Sequence, residues 1–113
     1  MCTLKQHLTG RKRNMSDTAK DQEFYDLANS FIEMANKQSV DVDKGKVSAA
    51  FLYAAARFNT FIVASSAANV EQFMSYKEKA FDYLTGEYAK MLEEHFGDYR
   101  DHFKDYIKSR TNN

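Results

Sequence analysis

No proline interrupts the 113 residues of this chain, and glycine occurs only four times. Proline fixes φ and removes a backbone donor, and glycine costs about 1 kcal/mol inside a helix, so a chain nearly free of both keeps long helices intact. The expected fold class is therefore all-α: a small bundle of three long helices plus a short C-terminal fourth, with a central apolar helix at about residues 48–68. A chain of this length is one domain's worth, and 43% apolar with 28% charged residues is ordinary for a soluble globular protein.

Zero net charge conceals an asymmetry. Residues 1–15 carry Lys5, Arg11, Lys12 and Arg13 and no acid, leaving twelve bases against sixteen acids in the remainder. With few periodic apolar residues, 1–15 is expected to be a disordered basic arm, and Met15 offers an alternative start. Residues 16–110 are expected to form the single helical domain. The lone cysteine, Cys2, excludes an internal disulfide framework and fits a reducing compartment.

Apolar residues at 24, 27, 28, 31, 34 and 35 predict an amphipathic helix from Thr18 to about Lys37, burying Phe24, Leu27, Ala28, Phe31, Ile32, Met34 and Ala35. The segment QSVDVDKGK predicts a loop, with Asp43 as a turn residue and Gly45 supplying a positive φ. Ser48 is the expected N-cap of the second helix, with Val47 stapled on Leu52. Asn69 with Gln72, and Ser75 with Glu78, each fit a capping box; the third helix is expected to start at one of them, the other marking a short turn or a continuation. A heptad-like run from Ala80 to His95 follows. Gly97 is the expected C′ residue, and Tyr99 to Ile107 form either a last short helix or the bent end of the third.

The stretch from Ser48 to Ala68 is long enough to cross a bilayer, so energy has to decide. Six strongly apolar side chains contribute about −2 to −4 kcal/mol to insertion, and central Arg57 alone opposes it by roughly 2.5 to 3.5. No membrane span is expected; the helix is expected to be wrapped by its neighbours, with Arg57 paired to Glu33, Glu87 or another acid. Asn59 falls within the apolar sector, where an unpartnered amide would cost about 1 to 3 kcal/mol.

The segments DQEFYDLANSFIEMAN, GKVSAAFLYAAARFNTF and YAKMLEEHFGDY give the chain a family likeness. Across residues 17 to about 106 it resembles the bacterial family catalogued as Domain of Unknown Function 3144. The most specific element is VSAAFLYAAARFN, Val47 to Asn59, since an amphipathic helix in general does not require that order. The resemblance implies a short, cytosolic, all-helical bacterial protein and carries over no activity, cofactor or catalytic residue. The arm before Met15 and Gly97 depart from the family pattern.

Dedicated chemistry finds little support. Di-iron bundles need Glu-x-x-His pairs, and the residues three before His95 and His102 are Leu92 and Tyr99. Glu94, Asp98 and His102 would line one face only if the helix ran straight past Gly97. In DVDKGK, counted from Asp41 as a calcium loop, position 6 is Lys46 and position 12 is Leu52, where glycine and glutamate are required. No Gly-x-Ser-x-Gly motif occurs, and no metal or cofactor is expected. Nucleic acid would bind only through Lys5, Arg11, Lys12 and Arg13, because the remaining chain is acidic.

The leading functional expectation is a non-catalytic cytoplasmic interaction module, with an unknown protein partner or a second copy of itself. The alternative is a small-ligand binder or enzyme whose polar site comprises Tyr53, Arg57 and Asn59, Arg57 holding an anion.

Overall fold

The computed structural model describes residues 20–111, with side chains through residue 107. Five helices follow in order: α1 Gln22–Gln38, α2 Lys44–Ser65, α3 Val70–Ser75, α4 Lys77–Asp101 and α5 Phe103–Thr111. The all-α class holds, with three long helices and a short C-terminal one, and the six-residue α3 is an addition. The chain divides into two compact units at Ala56 and Arg57, inside α2. Each is described by itself.

In the first unit, α1 begins at Gln22, later than the Thr18 expected from periodicity. Asp21 explains the start: its carboxylate accepts the Phe24 N–H at 3.0 Å, which satisfies one of the orphan donors of the first turn. The far end closes at Ser39, whose N–H and hydroxyl both donate to the Ala35 carbonyl, at 3.0 and 2.8 Å.

Helix α2 starts at Lys44, four residues ahead of the expected Ser48. Asp43 is the reason, because its Oδ2 accepts the Lys46 N–H at 3.0 Å and its carbonyl accepts from Val47 at 3.1 Å. Asp43 is thus a helix start, not a loop turn. Gly45 sits in the first helical turn, and no glycine among the described residues has a positive φ. What Gly45 provides is room: a Cβ there would stand 3.1 Å from Asp43 Oδ2, against the carboxylate that begins the helix.

In the second unit α2 ends at Ser65, short of the expected Ala68. Asn69 then caps α3 by accepting the Gln72 N–H at 2.9 Å, and Gln72 reaches back to accept the Ala68 N–H at 2.7 Å. The first predicted box therefore forms, one residue displaced at its return arm. The second does not form. Ser75 donates its hydroxyl to the Gln72 carbonyl, and α4 opens at Tyr76 with no side-chain cap. Helix α4 continues through Gly97 and breaks at His102, so Gly97 is helical and not a C′ residue. Nothing at Gly97 demands a left-handed backbone, and an added Cβ would make only ordinary contact.

The expected shielding of the apolar faces does not occur. No described residue is buried. On α1, Phe31 is 59% exposed, and Phe24, Leu27, Ile32 and Met34 are also exposed; only Ala28 and Ala35 are half-buried. On α2, Phe51, Leu52, Phe58 and Phe61 are exposed, the last at 59%. The physical reason is that periodicity sets which residues share a helix face, whereas burial needs a surface placed opposite that face. The arm, with Lys5, Arg11, Lys12, Arg13 and Cys2, lies outside the described residues.

Candidate functional site: an open apolar groove

The second unit contains one notable concavity. The last turns of α2 contribute Ile62, Val63 and Ser66, and Tyr76, Ala80 and Tyr83 stand across from them. The space over these residues is about 980 Å³ and lies largely open to solvent. The sequence places it there by simple means. Asn69 turns the chain sharply after α2, α3 lasts six residues, and α4 starts within reach of the end of α2. Lys79, Glu78 and Asp82 give the rim charge, and no histidine or cysteine lines it. Such a groove offers an apolar surface with a charged rim.

A second feature lies at the α4–α5 junction. The Tyr106 hydroxyl reaches both oxygens of Asp98, at 3.2 and 3.1 Å, which raises the ionisation of the phenol above its ordinary value, first through that hydrogen bond. The Tyr99 and Tyr106 rings lie 4.6 Å apart, and His102 Nδ1 approaches Asp98 Oδ1 at 3.3 Å. Because α4 breaks at His102, the row Glu94, Asp98, His102 is not a straight helical face. Among the described residues no group of three or more His, Cys, Asp or Glu is placed to hold a metal ion.

The sequence-predicted polar site is distributed differently. Tyr53, 70% exposed, and Arg57 are one helical turn apart and share an edge of α2. Asn59 lies about 200° round the helix from Arg57 and is half-buried, so a ligand seated on the Arg57 edge would not meet it. Arg57 forms no ion pair with a described residue; ion pairs among the described residues include Glu87–Lys90 at 2.9 Å and Arg100–Asp101 at 2.9 Å, with Asp98–His102 joining them when the imidazole is protonated. The Arg100 guanidinium holds the Asp101 carboxyl below its usual range, and Glu87 raises Lys90, in both cases first by hydrogen bonding.

Sequence reasoning missed the groove and the Tyr106–Asp98 contact. The capping signal at Asn69 was available, since it fixes where the chain turns. For Tyr106 no periodic signal exists, because eight residues separate it from Asp98 and a helix break intervenes.

These features define a small all-helical protein with an open apolar groove. The chain belongs to the family described as Protein of unknown function (DUF3144), whose model matches residues 24–100. Its backbone is similar to the NMR structure of the protein NB7890A from Shewanella sp., with a TM-score of 0.64 and 32% sequence identity over 79% of this chain and 95% of that one. Comparison with curated proteins finds no match.

Proposed function

We propose that this protein is a non-catalytic, self-associating helical module, whose helices acquire their shared core on meeting a second copy. The single observation that carries the proposal is the exposure of apolar side chains on every long helix, with none buried among the described residues. Full burial of one such side chain is worth about 1.5 to 3 kcal/mol, and helices in water draw most of their stability from packing an amphipathic face. Left alone, these helices have little to hold them. A second copy supplies faces of matching length and composition, and symmetric dimers are the commonest assembly of soluble chains. The single cysteine suits a reducing cytoplasmic setting. Sedimentation velocity over a wide concentration range tests the proposal. A dimer or higher species is expected, and a strict monomer at the highest concentration would overturn it.

One specific observation favours a second reading, in which α2 inserts into a bilayer. It is long and apolar enough to cross one, and no part of it is buried. Against it stand Arg57 near the middle, Asn59 beside it, and the open apolar faces of α1 and α4, which a single span leaves uncovered. Flotation with liposomes separates the two readings: protein rising with the lipid would favour insertion, and protein left in the aqueous fraction favours self-association.

A further inference from the structure

Resting on that self-association, we propose that α2 of one copy lies antiparallel on α4 of the other, with the basic start of α2 against the acidic end of α4. Charge decides both partner and direction. Helix α2 carries Lys44, Lys46 and Arg57 and no acid. The last nine residues of α4 carry Glu93, Glu94, Asp98 and Asp101 against Arg100 alone. At about 100° per residue, Lys44 projects from the same face of α2 as Phe51, Ala55 and Ile62. On α4 the apolar stripe runs through Leu84, Tyr88 and Met91, and Glu94 and Asp98 border it along one edge near its end.

An antiparallel seam sets Lys44 beside that acidic edge, while the uncharged second half of α2, Phe58 to Ser65, meets the first half of α4. A parallel seam fails on the same faces, because Lys77 stands at the start of the α4 stripe and would meet Lys44. Pairing α2 with α2 gains no opposite charge at all. Lengths also agree, since the 22 residues of α2 cover about 33 Å and the 25 of α4 slightly more. The groove leaves a gap between Ile62 and Tyr83 within one chain; Phe51 and Ile62 on the α2 face are exposed, and on the α4 stripe Tyr88 is exposed while Leu84 and Met91 are half-buried.

The experiment uses full-length chains carrying Cys2→Ser and two tags of different size. One chain bears Ser48→Cys, the other His95→Cys, and after mixing by unfolding and refolding together a short bismaleimide is added. The proposal expects a covalent product between the two chains, several-fold more than from Ser48→Cys mixed with Ala80→Cys, the pair a parallel seam would bring together. Stronger linkage through Ala80→Cys would overturn the direction. Linkage of Ser48→Cys chains to one another in its place would overturn the choice of α4. No linkage while sedimentation still reports a dimer overturns the seam and leaves self-association standing, and a monomer overturns both.

Discussion

The Tyr106 hydroxyl donates to the Asp98 carboxylate across the break between α4 and α5, touching both oxygens at 3.2 and 3.1 Å. Together with the Tyr99–Tyr106 ring contact, it ties a nine-residue helix, too short to persist alone, to the end of a long one. Tyr106→Phe keeps the ring and deletes the donor. Amide hydrogen exchange in α5 should quicken a few-fold, while exchange in the middle of α4 stays as it was.

The same contact predicts an alkaline signature. Asp98 holds the Tyr106 phenol in its neutral form, so its folded ionisation lies above that of the unfolded chain. The stabilisation is then complete below the ordinary phenol range and is lost as pH rises through the raised value. In an ultraviolet titration the wild type should show one phenol ionising late, a step that Tyr106→Phe removes. An unchanged curve would place Tyr106 among the ordinary tyrosines.

Two capping boxes look equivalent in the sequence and are not equivalent in the fold. Asn69 caps α3, whereas Ser75 caps nothing and donates its hydroxyl to a carbonyl of the preceding turn. Asn69→Ala should therefore cost about 1 kcal/mol, within the usual span for a lost cap, and Ser75→Ala should change stability far less. Thermal unfolding followed by circular dichroism at equal chain concentration compares them. Equal losses would mean that Ser75 caps a helix after all.

Why one box formed and the other did not marks the limit of what the sequence discloses. Helix type was legible, as were the three long helices and the short last one, because the apolar spacing of α1 and the unbroken run of α4 are local properties; the six-residue α3 was not. Helix starts were legible only in part. Asp43 took the place expected for Ser48, and Asp21 set the start of α1, because in each case a carboxylate stood three residues ahead of an orphan N–H. Gly45 and Gly97 misled for one reason: glycine permits a positive φ without requiring it, and neither position uses one. Exposure of Phe31 and Phe61 could not be read at all, since it depends on what lies opposite. Of the polar site, Tyr53 and Arg57 fell on one edge, whereas Asn59 faces elsewhere.

Arg57 offers a test of the ligand-binding alternative. It is exposed and forms no ion pair with a described residue, so Arg57→Met should leave helicity and self-association within a factor of a few of wild type. Native mass spectrometry of wild type and variant purified from cell extract reads the other possibility. A small molecule retained by the wild type and missing from an intact Arg57→Met protein would assign an anion site to this edge.

The proposed self-association would make folding depend on concentration. When the core is shared between copies, dilution favours the separated chain, whose apolar faces are wet and whose helices are marginal. Helicity should therefore fall on dilution, and the unfolding midpoint should rise with chain concentration instead of staying fixed as for a two-state monomer. Phe51→Asp sharpens the point, because this residue lies on the α2 face placed in the seam and a carboxylate there would have to enter the shared core unpaired. The concentration needed for half-maximal assembly should rise by at least about tenfold, the equivalent of roughly 1.4 kcal/mol. Sedimentation equilibrium on both proteins measures the shift, and circular dichroism on the same samples shows whether helicity follows assembly. If both proteins kept full helicity at every dilution, the helices would be stable without a partner and the exposed phenylalanines would need another explanation.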